Sequence, residues 1–483
     1  MKISKKKIGL VLGPVLFALV MLFFNPENLN PDAKSILAST IWIAIWWITE
    51  CVPISVTALL PIVLFPLTGG LDIKSTTASY GHNLVFLFVG GFIIALAIEK
   101  WNLHKRVALS IIKFTGTKKS RIILGFMIAT AVLSMFISNT ATTIMILPVG
   151  MAIISKVSES NNSYENINFG KSLMIAIAYS ASIGGMATLI GTPPNMIFAG
   201  VVKESYGIEI GMLEWSKFGL PVSLFLLIIC WIYLTKVAFS FEDKNQASGK
   251  QEINNQLKKL GKFSNEELKV SVIFGLTAFG WIFRKQLVKI IPFLDDTIIA
   301  ISFAIVLFII PDKKNKPLLN WEDTIKLPWG ILLLFGGGMA IASAFGKSGL
   351  ALWIANLLST MNGVSLFLLI LIIVVSINLL TELTSNMATT AMLLPVLVTM
   401  ALAINVHPYF LLVSATLAAS CAFMLPVATP PNAIVFGSGL LKIEDMFKKG
   451  IWMNLFSVIV ISLIVYYILP YVFDLSKDLV PLL

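Results

Sequence analysis

The chain has 483 residues, of which 57% are hydrophobic and only 13% charged, and it carries a formal net charge of +11. Soluble domains carry about 25% charged residues, so the composition excludes an ordinary soluble protein and points to a polytopic helical membrane protein. The Lys and Arg residues lie in short segments between apolar runs, as cytoplasmic loops of membrane proteins do, which excludes a nucleic-acid partner.

A spanning helix needs about 20 residues. In chain order, apolar runs predict spans over 8–24, 36–49, 53–69, 83–113, 171–200, 218–238, 269–287, 294–311, 328–357, 408–437 and 451–473. The first follows Met1-Lys2-Ile3-Ser4-Lys5-Lys6-Lys7 and resembles a signal peptide. It is followed by Asn25-Pro26-Glu27 instead of a small-residue cleavage site, so it is expected to be a retained first span. Two further apolar stretches, 122–155 and 366–404, each have a polar break near the middle and are expected to be re-entrant hairpins. With the N-terminus inside, the inside segments then hold 27 Lys and Arg against 8 outside. Full crossings at the two broken stretches would move the basic segment 236–269 outside, against the positive-inside rule. The fold expected is all-α, with about 11 transmembrane helices, two re-entrant helical hairpins and an outside C-terminus. The polar segment 239–268 joins two halves as a cytoplasmic linker. Cys51, Cys230 and Cys421 fall in separate apolar segments with no metal-like spacing.

The two halves are related. Residues 138–149, Ser-Asn-Thr-Ala-Thr-Thr-Ile-Met-Ile-Leu-Pro-Val, match residues 385–396, Ser-Asn-Met-Ala-Thr-Thr-Ala-Met-Leu-Leu-Pro-Val, at nine of twelve positions with an offset of 247. The same offset pairs Phe88-Val89-Gly90-Gly91 with Phe335-Gly336-Gly337-Gly338, and Ser134 with Thr381. Downstream, Gly191-Thr192-Pro193-Pro194-Asn195 recurs as Ala428-Thr429-Pro430-Pro431-Asn432. The first hairpin enters from inside and the second from outside, so the repeats are inverted, as in secondary transporters.

Polar residues in lipid need partners, because an unsatisfied group there costs several kcal/mol. A single Ser-Asn-Thr or Thr-Pro-Pro-Asn is explained equally well as a helix cap. Duplication in inverted halves favours broken helices whose ends build a binding site. Ser-Asn-Thr then sits at each hairpin tip, and Thr-Pro-Pro opens the second half of each broken span. Four helix N-termini meet, and their free N–H groups suit an anion. Unwound carbonyls and helix C-termini suit Na⁺. No Arg or Lys lies within these motifs.

These paired motifs, with Trp46-Trp47-Ile48-Thr49-Glu50 ahead of Ala58-Leu59-Leu60-Pro61, resemble the divalent anion/sodium symporter (DASS) family, the bacterial dicarboxylate transporters of INDY type. The resemblance spans nearly the whole chain. It implies a homodimer in the cytoplasmic membrane, working as an elevator with scaffold and transport domains. The scaffold parts would be residues 1–117 and 269–358, and the transport parts 118–238 and 359–483, joined by the linker 239–268. It implies transport of succinate, malate or fumarate, and also of 2-oxoglutarate or citrate in some members. Carried over by position, the first Na⁺ site would use Ser134, Ser138, Asn139 and the Gly191 carbonyl. The second would use Thr381, the Thr384 carbonyl, Asn386 and the Ala428 carbonyl. Asn139 and Thr140 from one tip and Asn386 from the other would hold the substrate carboxylates, with Ser138, Thr429 and Pro430 in the same pocket. Met387 stands where the family commonly has Thr. It removes a hydroxyl and can weaken a carboxylate contact, admit a longer substrate or accompany altered coupling.

Other residues carry weaker signals. Glu382, near the second tip, can order that tip by hydrogen bonding or tune the second cation site. Glu50 and Glu99 read as structural or interfacial, and His82, His104 and His407 as residues at span ends. The Gly clusters allow close packing or a kink. Asp295-Asp296 is a weak hint of a metal-dependent enzyme, without a second acidic cluster. A channel needs a continuous pore, whereas Pro-broken spans favour alternating access. Within the transporter class, Na⁺ symport is favoured and Na⁺-independent dicarboxylate exchange is the alternative.

Overall fold

The computed structural model describes residues 5–158, 164–243, 247–358 and 364–475. The basic Lys2 and the expected domain boundary at 358–359 fall outside or at the edge of the described residues. The described residues are helical, joined by turns, with an isolated β-bridge between Pro311 and Pro317. Seven helices among them are long and apolar enough to cross a membrane. Shorter apolar helical segments, Ile54–Leu67, Asp296–Ile309, Leu366–Thr381 and Tyr409–Ala419, fall on other expected spans and hairpin arms.

Helix α1 (Lys5–Phe23) packs along α2 (Pro31–Thr49) through Gly9 and Gly13. A Cβ on Gly9 would lie 2.0 Å from Thr49 Oγ1, and one on Gly13 would lie 2.6 Å from Trp42 Cδ1. Small residues four apart let two helix backbones approach this closely. Asn30 caps α2, accepting from Ala33 N at 2.7 Å, and donates to the Ser348 carbonyl at 2.9 Å, tying the start of the chain to its second half. The expected span 53–69 is broken into α3 (Ile54–Thr57) and α4 (Leu60–Leu67), followed by α5 (Ile73–Ala78).

Other expected spans divide as well. The run 83–113 divides into α6 (Asn83–Lys100) and α7 (Leu103–Thr115) at Asn102, whose φ of 56° ends the helix. The α7 helix is amphipathic: Leu103, Ala108, Leu109 and Ile112 are buried, while Lys105 and Lys113 are exposed. The hairpin follows as α8 (Lys119–Ser134) and α9 (Asn139–Ser158), then the broken span as α10 (Tyr164–Gly185) and α11 (Pro193–Tyr206). Helix α12 (Met212–Ile232) ends in a π-helical turn, Tyr233–Ala238.

The linker is not structureless. It carries α13 (Ala247–Lys259), which packs against α7 and α9 with Ile253 buried. Arg106 of α7 fixes the end of the linker, pairing with Glu267 at 2.8 Å and donating to the Gly261 carbonyl at 3.1 Å.

The second half repeats the first. Helices α14 (Asn265–Ile282), α15 (Arg284–Leu287) and α16 (Asp296–Ile309) lead into α17 (Trp329–Lys347) and α18 (Leu350–Leu358). The expected span 328–357 is thus also divided, at Gly349 with φ 78°. Asn102 and Gly349 are 247 residues apart, the spacing of the repeat, as are the first residues of α8 and α19 (Leu366–Thr381) and of α9 and α20 (Asn386–Ala403). The second broken span is α21 (Tyr409–Ala419) and α22 (Pro430–Phe436), followed by α23 (Ile443–Tyr467) and α24 (Leu469–Val472). The Gly clusters serve packing and lie within unbroken helices. A Cβ on Gly90 would meet Ala300 at 2.7 Å, and one on Gly337 would meet the Ala58 carbonyl at 2.7 Å.

The acidic pair and the histidines have structural roles. Asp295 caps α16 through Ile298 N at 2.6 Å, and Asp296 accepts from Met212 N at 2.7 Å. Arg284, 3.6 Å from Asp296, also pairs with Glu209 at 2.8 Å, joining the α11–α12 loop to the α14–α16 corner. His104 is buried against the Ile98 carbonyl at 2.8 Å, and His82 Nδ1 accepts from Leu84 N at 3.2 Å.

Replacing Gly9 with Leu should force α1 off α2. The expected result is a loss of about 1–3 kcal/mol, the usual cost of overpacking, read as a lower midpoint of thermal unfolding in detergent. An unchanged midpoint would mean that α1 is not held by this contact.

Candidate functional site

Each hairpin tip is built the same way. At the first, α8 ends at Ser134 and α9 begins at Asn139. Ser134 Oγ donates to the Ala181 carbonyl at 2.8 Å and lies 2.5 Å from Asn139 Oδ1. At the second, Thr381 Oγ1 lies 2.7 Å from Asn386 Oδ1 and 3.1 Å from the Ala419 carbonyl. In both places one hydroxyl proton faces two oxygen acceptors, and the hydroxyl is buried. Such oxygen-rich, proton-poor clusters suit a hard cation.

The first cluster has further oxygen within reach. A Cβ on Gly185 would lie 2.7 Å from Asn139 Oδ1 and 3.1 Å from the Gly191 carbonyl. A Cβ on Gly191 would lie 3.0 Å from the Ser134 carbonyl. Glycine at 185 and 191 therefore leaves room where these oxygens converge. Among the described residues no group of three or more His, Cys, Asp or Glu could hold a metal, so a cation here relies on neutral oxygens.

The broken helices are held open by the asparagines that close each Thr-Pro-Pro-Asn motif. Asn195 Nδ2 donates to the carbonyls of Thr188 at 2.7 Å and Gly185 at 3.2 Å. Asn432 Nδ2 donates to the carbonyls of Leu425 at 3.0 Å and Ala422 at 3.1 Å. Each side chain satisfies carbonyls that the break in α10 or α21 leaves without a helical partner. Neither asparagine stands out in the sequence as a functional residue, although their recurrence in both motifs is the signal. Thr429 caps α22, accepting from Asn432 N at 3.4 Å, whereas Thr192 makes no side-chain cap on α11.

Glu382 orders the unwound segment after α21. Its carboxylate accepts from Phe423 N at 2.8 Å, Met424 N at 2.9 Å, Leu425 N at 2.9 Å and Asn454 Nδ2 at 2.7 Å. Glu382 was expected to order its own hairpin tip or to tune a cation site; its carboxylate instead bonds the segment 423–425 and Asn454. At the equivalent place in the first half, the Met135 carbonyl accepts from the Thr188 hydroxyl.

Both tips and both broken helices open onto one cavity of about 830 Å³. Ser138, Asn139, Thr140, Gly191, Thr384, Asn386, Met387, Ala428, Thr429 and Pro430 all line it. Ser134 and Thr381 do not; they sit one layer behind, bonded to Asn139 and Asn386. The first residues of α9, α11, α20 and α22 are all in the lining. Four donor ends were expected, but α11 and α22 each begin with two prolines, which have no N–H, and the amides of Asn195 and Asn432 are bonded to Thr192 and Thr429. The free N–H groups that face the cavity are those at the starts of α9 and α20. Thr384 faces it with its hydroxyl turned back to the Leu380 carbonyl at 2.9 Å and to Thr389 at 2.6 Å. Lys5, Lys6 and Glu50, which the sequence analysis did not connect to the site, line the same cavity.

Paired hairpins and paired broken helices that converge on one cavity define a secondary transporter. The profile of the sodium:sulfate symporter transmembrane region matches residues 4–472, and the chain belongs to that family. It is similar to the sodium-dependent dicarboxylate transporter SdcS of Staphylococcus saprophyticus, 46% identical over 473 residues, covering 96% of this chain and 91% of the relative. It is 48% identical over 491 residues to SdcS of Staphylococcus aureus strain MRSA252, covering 98% of this chain and 94% of the relative. Among solved structures, MtrF of Neisseria gonorrhoeae, from a class of antimetabolite efflux pumps, superposes with a TM-score of 0.60 at 12% identity, over 99% of this chain and 96% of that one. The YdaH transporter of Alcanivorax borkumensis superposes with a TM-score of 0.57 at 14% identity, over 90% of this chain and 98% of that one. These two likenesses concern the fold.

Glu382→Ala should remove a charged acceptor from four donors. At about 1.5–3 kcal/mol for a hydrogen bond to a charged group, the folded protein should lose at least about 3 kcal/mol. Glu382→Gln, which keeps the shape without the charge, should lose less. Thermal unfolding of the purified variants checks the order; equal midpoints for both variants and the parent would remove Glu382 from this role.

Proposed function

We propose that the protein carries C4–C6 di- and tricarboxylates, with succinate, malate and fumarate foremost, across the cytoplasmic membrane by Na⁺-coupled symport. The observation that carries this reading is the single cavity lined by both hairpin tips and both broken-helix starts. Two sets of N–H donors and small hydroxyls, one from each half, match an anion with a carboxylate at each end. The two proton-poor oxygen clusters behind the tips match two Na⁺. Similarity to staphylococcal proteins named sodium-dependent dicarboxylate transporters supports the same substrate and ion.

On this reading Ser134, Ser138, Asn139 and the Gly191 carbonyl hold one Na⁺. Thr381, Asn386 and the carbonyls of Thr384 and Ala428 hold the other. Asn139, Thr140 and Asn386 bind the substrate carboxylates, with Ser138, Met387, Thr429 and Pro430 beside them. A dianion entering a negative cell works against about 2.3 kcal/mol per charge per 100 mV, roughly twice that in all. Two Na⁺ offset that charge and a third makes uptake electrogenic. The N-terminus lies inside, the C-terminus outside, and two copies form the working dimer. Residues 118–238 and 359–483 move as the transport part against a scaffold of 1–117 and 269–358. The cavity reaches the first turn of α1, so this arrangement is the inward-open one.

The test is labelled succinate uptake into proteoliposomes. Uptake driven by an inward Na⁺ gradient into an empty lumen is expected. Uptake only against internal dicarboxylate, indifferent to Na⁺, would replace symport with exchange. Preference for sulfate over every carboxylate would replace the substrate. Asn139→Ala and Asn386→Ala should each abolish uptake while leaving the protein folded and inserted; normal uptake in both would sink the site assignment. Met387→Thr should change the half-saturation constant for succinate, and an unchanged constant would place residue 387 away from the substrate.

A further inference from the structure

The cavity has a charged mouth that the repeated motifs do not supply. Among the described residues, Lys5, Lys6 and Glu50 are the charged side chains that line it, and all three are exposed, as residues at an opening are. Lys5 and Lys6 stand in the first turn of α1, and Glu50 follows the last residue of α2 with φ 47°. Their juxtaposition follows from how α1 is seated. Lys5, Gly9 and Gly13 are spaced four apart and so share one face of α1. Gly9 meets Thr49 and Gly13 meets Trp42 and Trp46, so that face lies on α2. Extending it one turn brings Lys5 to the end of α2, beside Thr49 and Glu50, both of which also line the cavity. The opposite side of α1 is apolar and exposed, with Val11 and Leu22 among its uncovered residues, and contributes nothing to the cavity.

The Ser-Asn and Thr-Pro-Pro segments contain no Lys or Arg. Their donors act at contact distance, and nothing in them draws an anion from further away. A cleft with low-dielectric walls focuses the field of charges at its mouth and raises the local concentration of the opposite sign. We infer that Lys5 and Lys6 form an electrostatic mouth on the cytoplasmic side, which gathers and orients dianionic substrate between the cytoplasm and the hairpin tips, with Glu50 beside them limiting the net positive charge. This deepens the dicarboxylate reading given above and rests on it. The lysines serve one side only, because they stand at the single end of the cavity that reaches α1.

The experiment compares both faces of the intact transporter in right-side-out and inside-out vesicles. It reads the half-saturation constant for labelled succinate on each face at fixed Na⁺, with ionic strength set by choline chloride. In the parent protein the internal constant should rise with salt between about 10 mM and 300 mM, as the Debye length shrinks from about 30 Å to below 8 Å. In K5Q/K6Q that salt dependence should be lost. In K5E/K6E the ratio of internal to external constants should rise about tenfold, within the range reported for electrostatic focusing. K5R/K6R should restore the parent ratio. The same internal salt dependence in K5Q/K6Q as in the parent would overturn the mouth, and so would equal shifts on both faces, which indicate a change in the fold. If K5E/K6E fails to insert, the salt titration of K5Q/K6Q decides alone. If the parent carries sulfate and not succinate, the substrate reading fails separately, and the same ratio is read with labelled sulfate.

Discussion

The rest of the structure depends on the backbone groups that a helix leaves unpaired when it stops inside a membrane. Each end exposes up to four N–H or C=O groups, and lipid offers them no partner. This chain stops helices at both hairpin tips and at both broken spans, and its polar residues cluster where the stops are. Asn195 and Asn432 take the carbonyls released by α10 and α21. Glu382 takes three N–H groups after α21. Prolines at the starts of α11 and α22 remove donors there, and the N–H groups left at the starts of α9 and α20 face the cavity. The binding surface is thus the residue of the helix-end accounting: the groups that the fold leaves for a ligand to satisfy.

The two halves share this plan but not every solution. One uses a Met135 carbonyl and the Thr188 hydroxyl where the other uses the Glu382 carboxylate. One tip carries Thr140 and the other Met387. One Thr-Pro-Pro threonine caps its helix and the other does not. A symmetric cavity would present identical ends to the substrate. Here one end offers a hydroxyl that the other lacks, so on the proposed reading the two carboxylates of a bound dianion would meet different chemistry, and a substrate whose own ends differ would have a preferred orientation.

Much of this was legible in the sequence because repetition separates function from packing. The hairpins, the Thr-Pro-Pro helix starts and the paired Ser134 and Thr381 hydroxyls follow from matching residues at a fixed spacing. The divided helices at Asn102 and Gly349 were missed, because a hydropathy window registers apolar residues and not the single left-handed residue that turns the chain. The same spacing of 247 would have exposed them. The break in 53–69 was missed because its three prolines lie in an apolar run that a hydropathy window reads as one span. Lys5 and Lys6 could not have been tied to the cavity from sequence, since only the packing of Gly9 and Gly13 on α2 brings that end of the chain to the site.

The charge of the cavity also bears on coupling. A fixed Arg at the tips would bind a carboxylate with or without Na⁺, and an anion held without its ion can cross alone. This cavity has no such residue at its tips. Asn139 and Asn386 each present an amide oxygen to the cluster behind the tip while standing in the lining in front of it. A cation drawn into the cluster fixes the amide and adds positive potential behind the N–H groups that face the anion. Binding of the anion must then favour the cation by the same factor, because such coupling is reciprocal. On the proposed reading, leaving the tips uncharged is what makes the ion a requirement, and Lys5 and Lys6 stand at the mouth, where they can attract the anion without replacing Na⁺ beside it.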